Sequence, residues 1–249
     1  MEGYFLTDCG KVRTINEDAG GIFYNEAKQL LAVVADGMGG HQAGEIASEL
    51  AVVTVKELWE QTKLITEKET AIDWLQQAIQ QTNEIVHQHS LTEERLAGMG
   101  TTIVLTICTD TFIAVGHIGD SRCYLWNDET LLMQITSDHS LVNELVKTGQ
   151  ISALDAEEHP RKNVLTKAIG TEATIHPDIK TFEWQRDDYV LLSSDGLTNK
   201  ITDEELATAL ANMNNLETTV QQLVNLANER GGEDNITLAI VRNEEGEKT

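Results

Sequence analysis

The stretch "TIVLTICTDTFIAVGHIGD", Thr102 to Asp120, decides the fold. Two runs rich in Ile, Val and Thr flank a polar turn at Thr109–Thr111, the pattern of two strands folded back on each other. Working outward, "GYFLTD", "LLAVVAD", "RCYLWN", "LLMQIT", "YVLLSSD" and "NITLAIVR" read as further short strands bounded by Gly, Asp or Asn. Helical spacing appears over Ala43–Leu64, Ala71–His89, Ser140–Thr148, Asp203–Met213 and Thr218–Glu229, and "TDEE" at 202–205 has the form of a capping box. Hairpins interleaved with helix pairs are not the strict alternation that builds a parallel doubly wound sheet. They predict an α+β chain with antiparallel strands and helices over the outer faces.

Neither an internal repeat nor a low-complexity linker interrupts the 249 residues, and only two are proline. One domain over residues 1–242 is expected, followed by a frayed acidic tail, "NEEGEKT", at 243–249. A net charge of -23 argues against a nucleic-acid binder, because phosphate backbones demand clustered Lys and Arg, and disfavours an anionic membrane surface. No run approaches the ~20 apolar residues that span a bilayer, so no membrane insertion is expected. The start, "MEGYFLTDCG", lacks the basic and apolar regions of a secretion signal. Cys9, Cys108 and Cys123 are an odd set without CxxC spacing, so neither a disulfide framework nor a zinc site is indicated, and a reducing cytoplasm is expected.

The end of the opening stretch carries the chemistry. In "FIAVGHIGDSR", "LLAVVADGMGG" and "YVLLSSDGLTN" an apolar strand runs into an Asp beside glycine, at Asp120, Asp36 and Asp195; in "GGEDNITLAIV" Asp234 immediately precedes the strand. Such positions lie at the rim of a sheet, rigid behind and open in front. Gly119, Gly37 and Gly196 allow close approach to the backbone or a turn barred to other residues. Asp-Gly also marks ordinary turns, but four carboxylates abutting buried strands favour convergence. At ~4 Å and an effective dielectric near 20, each like-charged pair costs about 4 kcal/mol, so the cluster takes up protons or holds cations. Oxygen-only ligands suit Mg²⁺, Mn²⁺ or Ca²⁺. A carboxylate bridging two such ions is the usual apparatus for activating water against phosphorus. The glycine-rich run after Asp36 leaves another reading open, a backbone cradle for phosphate.

Absences narrow the chemistry. Gly10-Lys11 is followed by Val12, so there is no nucleotide P-loop, and Gly37-Met38-Gly39 is followed by Gly40, His41 and Gln42, which is no dinucleotide fingerprint. No cysteine has an arginine six residues later, and no two aspartates are separated by one residue. What remains is attack by water without a covalent enzyme intermediate; the substrate stays open.

The chain resembles the metal-dependent serine/threonine protein phosphatases of type 2C, in their compact bacterial form. The resemblance runs from "TDCGKVRTINEDA" through "VVADGMGGHQAGE", "GMGTTIVL", "HIGDSRCYL", "TSDHSLV", "NVLTKAIGT" and "LLSSDGLTNKI" to "GGEDNITLAIV", and the order and spacing are specific. It implies a four-layer αββα sandwich, two antiparallel sheets flanked by pairs of antiparallel helices. Two core Mn²⁺ or Mg²⁺ ions are implied, with a third held more weakly. Asp36 would bridge the core ions, the Gly37 carbonyl would bind the first, and Asp195 and Asp234 would complete the second. Asp120 would hold the third ion with Asp195. Glu17 and Asp18 would act through waters in the outer shell, and Arg13 would clamp the phosphate. The implied reaction is single-step attack of a metal-activated water on phosphoserine or phosphothreonine in proteins. The implied partner is a bacterial Ser/Thr kinase whose products the enzyme removes, and the default assembly is a monomer. The alternative is a catalytically inactive binding module, but such proteins tend to lose metal carboxylates, and all four aspartates are present. Met38 stands where eukaryotic members place a histidine general acid, and Asn199 where they carry a further aspartate. His41 is the nearest sequence candidate for the acid, with a metal-bound water the favoured one. Residues 140–162 are expected to form a flap beside the site, with Arg161 as its candidate substrate contact.

Overall fold

A computed structural model describes residues 1–40, 42–129 and 131–244, with Glu157 described by its backbone alone. His41, the candidate acid, and residues 245–249 of the expected tail lie outside the described residues. In chain order, β1 (Glu2–Asp8), β2 (Asp18–Tyr24) and β3 (Leu30–Met38) lead to α1 (Ala43–Glu60) and α2 (Lys68–Ser90). Next come β4 (Gly100–Thr101), β5 (Ile103–Cys108), β6 (Phe112–Ile118), β7 (Arg122–Asn127), β8 (Leu131–Gln134), α3 (Leu141–Lys147) and α4 (Ala153–Glu157). The chain continues through β9 (Asp178–Glu183), β10 (Tyr189–Ser193), α5 (Asp195–Thr198), α6 (Asp203–Ala211), α7 (Leu216–Glu229) and β11 (Ile236–Arg242).

The opening hairpin forms as expected. β5 and β6 pair antiparallel from Ile103↔Ile118 to Cys108↔Ile113, and the Thr109 hydroxyl closes the turn by accepting from the Phe112 N–H at 3.0 Å. One sheet has the order β1-β11-β10-β7-β8 and the other β2-β3-β5-β6-β9, with β4 added to β3. All of these pairings are antiparallel.

Alternation along the strands makes the layers. Leu30, Ala32 and Val34 face the other sheet, where Val190, Leu192, Ala239 and Val241 meet them. Their neighbours Leu31, Val33 and Ala35 pack with Ala47, Ala51 and Val55 of α1. Beneath α6 and α7, Tyr124, Leu191, Leu238 and Ile240 pack with Leu206, Leu210, Val220 and Val224. Strands this apolar on both faces belong to a doubly covered sheet, and each fully buried Leu, Ile or Val contributes roughly 1.5–3 kcal/mol. The result is the expected αββα sandwich.

Several boundaries differ from those expected. α1 stops at Glu60 rather than Leu64, and α2 starts at Lys68 rather than Ala71 and runs one residue past His89. α7 begins at Leu216 rather than Thr218, because the Asn215 side chain caps it by accepting from the Thr218 N–H at 2.7 Å. The capping box is real: the Thr202 hydroxyl accepts from the Glu205 N–H, and Glu205 accepts from the Thr202 N–H. The strands β2 and β9 and the short helices α4 and α5 carry no clear signal in the sequence.

Candidate metal centre

Asp36 lies on β3 with its backbone held from both sides. Its N–H donates to the Thr102 hydroxyl at 2.9 Å, and its carbonyl accepts from the Thr102 N–H at 2.8 Å and the Thr101 hydroxyl at 2.9 Å. β2 runs alongside in a register that sets Asp18 directly opposite Asp36. Two carboxylates facing each other across strands repel, so the pairing carries a cost that hydrophobic strand pairing must offset. Next in β3, a Cβ on Gly37 would run into the Gly44 carbonyl at the start of α1; only glycine lets that helix seat against the strand.

Asp120 arrives on the turn after β6. Gly119 takes φ +104 there, and a side chain on it would press on Thr102. The Thr102 hydroxyl also shares a 2.7 Å hydrogen bond with Ser121, tying the Asp120 turn to the Asp36 strand. Asp195 is the first residue of α5 rather than a strand end, two residues past β10, and its Oδ2 accepts from the Asn199 amide at 3.1 Å. Asp234 precedes β11, and its Oδ2 accepts from Arg13 Nη2 at 2.9 Å, with Glu17 Oε2 at 3.9 Å from Nη1.

The five aspartates compose one electrostatic unit. Burial, then the charges of Asp18, Asp195, Asp120 and Asp234, push Asp36 well above the usual carboxylate range. Burial, reinforced by Asp195 and Asp234, raises Asp18 to about 7, against hydrogen bonding that favours its charged form. Asp120 also rises to about 7, by burial, Asp195 and Asp138. Burial and Asp234 raise Asp195 although Asn199 opposes them, and burial raises Glu17 against the pull of Arg13. Burial alone would lower Arg13, but Asp234 first, then Glu17 and Asp36, raise it.

Two carboxylate oxygens make the functional point. Asp18 Oδ2 accepts from the Ser194 hydroxyl at 2.7 Å, yet Asp18 Oδ1 is buried with no hydrogen-bond partner among the described residues, and so is Asp195 Oδ1. Unpaired buried oxygens on groups whose charge is already resisted are costly unless cations, or the water shell that cations hold, complete them. The donors are all oxygen, which fits hard divalent ions such as Mn²⁺ and Mg²⁺. The backbone phosphate cradle is not what Gly37 serves: its N–H donates to the Glu17 carbonyl at 3.0 Å.

Beside Asp120 and Asp195 opens a groove of about 790 Å³ between the 140–163 segment and residues 198–204. Arg122 on its wall is held by Asp138 through Nε to Oδ1 at 3.0 Å and Nη2 to Oδ2 at 2.8 Å. Lys162 and Asn163 line this groove; Arg161 is exposed and outside the lining. Sequence reasoning missed the supports Arg122 and His139, and Ser194 and Asn235, whose partners Asp18 and Glu17 lie far along the chain.

A two-sheet sandwich with an all-oxygen acidic rim provides a seat for hard divalent ions. The model of the family described as Protein phosphatase 2C matches residues 7–237. The Listeria innocua protein named Serine/threonine phosphatase stp is 42% identical over 241 residues, covering 97% of this chain and 95% of the relative. The crystal structure of Serine/threonine phosphatase Stp1 from Staphylococcus aureus superposes with a TM-score of 0.92 at 40% identity, covering 97% of this chain and 94% of that one. The catalytic domain of serine threonine protein phosphatase PstP, described in complex with 2 manganese ions, gives 0.84 at 31% identity over 96% of each chain. The chain belongs to the protein phosphatase 2C family and is a metal-dependent protein phosphatase.

Proposed function

We propose that the rim hydrolyses phosphoserine and phosphothreonine in proteins, opposing a bacterial Ser/Thr kinase. The observation that carries this reading is the pair of unpartnered buried oxygens on Asp18 and Asp195, set among carboxylates whose ionisation burial and mutual repulsion resist. In this reading Asp36, the Gly37 carbonyl, Asp195 and Asp234 would hold the two core ions, and Asp120 with Asp195 a weaker third. Glu17, Asp18 and Asn199 orient the outer shell. When bound, the ions supply Lewis acidity toward the phosphoryl oxygens and a water nucleophile at neutral pH.

The chain's own groups do the rest. Arg13, poised on Asp234 at 2.9 Å, offers a guanidinium fork that matches phosphate oxygens and stays charged at any working pH. Its side chain is 47% exposed, so a substrate reaches it without opening the fold. The groove beside Asp120 receives the peptide that flanks the phosphorylated residue. One catalytic domain spans residues 1–242, a reading supported by the family match and by the pairing of β1 with β11. A monomer acting in the cytoplasm fits three free cysteines, and among the described residues no helix is long and apolar enough to cross a membrane.

The test is phosphate release from a phosphothreonine peptide and from an aryl phosphate, with Mn²⁺, with chelator, and for Asp36→Asn. Turnover of both substrates that needs Mn²⁺ and Asp36 is the expected result. Activity that survives chelation would refute the metal mechanism, and an inactive Mn²⁺-loaded wild type would favour a binding module.

A further inference from the structure

Asn235 follows Asp234 and is buried, 4% exposed, just before β11. Its side-chain oxygen accepts from the Glu17 N–H at 2.8 Å, and its side-chain nitrogen donates to the carbonyls of Cys9 at 2.9 Å and Ile15 at 3.0 Å. A backbone N–H only donates and a carbonyl only accepts, so these partners fix which end of the amide is which. Cys9 and Ile15 are the two feet of a loop with Arg13 between them. One amide nitrogen therefore closes the loop at its base, and the oxygen of the same group anchors the next turn of chain at Glu17.

The backbone of Asn235 completes the arrangement. Its N–H donates to Asp234 Oδ1 at 3.0 Å, while Arg13 occupies the other oxygen, Oδ2, at 2.9 Å. Near the middle of the loop, Lys11 and Val12 donate their N–H groups to the Gly232 carbonyl at 2.8 and 3.2 Å. These two bonds leave both feet of the loop to Asn235.

We infer that Asn235 is a positioning residue for Arg13, a latch that pre-orders the phosphate-clamping loop against the acidic rim. The inference rests on the reading of Arg13 as the phosphate clamp. Without the amide, the Cys9 and Ile15 carbonyls and the Glu17 N–H lose their partners. The loop, still held at Gly232, loses both its feet, and phosphate binding must supply the ordering that the latch provides beforehand.

The experiment is a double-mutant cycle on the Mn²⁺-loaded full chain: wild type, Asn235→Ala, Arg13→Ala and the double variant. The readouts are the inhibition constant of inorganic phosphate, kcat and KM for a phosphothreonine peptide, and the melting temperature. With Arg13 present, Asn235→Ala raises the phosphate inhibition constant and KM about 10-fold; in the Arg13→Ala background it changes them by less than about 2-fold. Asn235→Ser, which keeps a smaller polar group, falls between, and the cycle is run with it if Asn235→Ala does not fold. Equal fold-changes in both backgrounds mean that Asn235 supports the fold generally, and they overturn the latch. If Arg13→Ala alone leaves phosphate inhibition unchanged, the clamp reading fails and the latch fails with it. If Arg13→Ala weakens inhibition and no coupling appears, only the latch fails.

Discussion

Two polar clusters meet at the Gly119–Asp120 turn, and they settle their charges in opposite ways. On one side, the acidic rim keeps carboxylate oxygens without partners and crowds like charges together. On the other, His117, His139 and Asp178 bring ligand atoms within 4.8 Å of one another, as a metal site would. His139 spends both ring nitrogens on the protein: Nδ1 accepts from the Gly119 N–H at 3.1 Å, and Nε2 faces Asp178 Oδ2 at 3.5 Å. His117 Nε2 lies 3.2 Å from the Ser137 carbonyl, and Lys167 stands 3.5 Å from Asp178 Oδ1. The two rings stack at 4.6 Å with planes only 7° apart. An imidazole lone pair lies in its ring plane, and nearly parallel planes offer no nearby point that serves both rings. Proximity of ligand types does not make a metal site; unmet lone pairs with converging directions do.

Replacing Asp36 by Asn tests the rim most severely. Turnover with Mn²⁺ falls about 10²–10³-fold, the loss typical of removing a principal electrostatic group. The same variant in chelator melts no lower than wild type, because the charge it removes is one that burial and the neighbouring carboxylates already resist. A lower melting temperature would break the contrast between the clusters.

Next in size is the response to pH. Asp18 is raised from 3.8 to about 7, so in chelator the folded protein binds the extra proton and stability falls as pH rises from about 4 through 7. Chemical denaturation at pH 5.5 and 8 shows this alkaline limb, on the order of 2–4 kcal/mol; Asp18→Asn reduces it, and Asp36 and Asp120, raised by the same burial and repulsion, keep the rest.

The histidines have the opposite sign. Burial first, then His117 and Lys167, lower His139 from 6.5 to about 4, so its contribution is full above pH 6.5 and is lost as pH falls toward 4. His139→Asn flattens that acid limb, on the order of 1–2 kcal/mol, while leaving the alkaline limb in place. Equilibrium unfolding across pH 4–8 for the two variants separates the limbs. The smallest effect is a null one: His117→Asn leaves the number of Mn²⁺ ions bound in calorimetry unchanged, and loss of an ion would return the histidine cluster to the list of metal sites.

Much of this was legible in the sequence because it is local. Ile/Val runs around a polar turn announced β5 and β6, and Asp-Gly after an apolar run announced Asp36, Asp120 and Asp195. β2, "DAGGIFY", escaped because its paired glycines dilute the strand pattern, although its register sets Asp18 against Asp36. β9, "DIKTFE", escaped because it is an edge strand with few buried positions. Glu17, Asp18 and Arg13 were reached only through family resemblance, since nothing in their neighbourhood marks them. Ser194 and Asn235 were beyond reach: each meets partners more than 170 positions away, so only the folded topology reveals them.

The pairing of β1 with β11 has a consequence for how the enzyme comes into being. Residues 2–8 zip onto 236–242, and the Arg13 loop fastens to Asp234 and Asn235 just before that last strand. A chain emerging from the ribosome therefore makes the Arg13 loop early and closes it only after residues 221 positions later have been added. Contacts of such long sequence separation are slow to form and come late in folding. An interrupted product lacks one wall of the acidic rim, so partial synthesis yields no partial phosphatase, and activity appears only once the two ends of the fold have met.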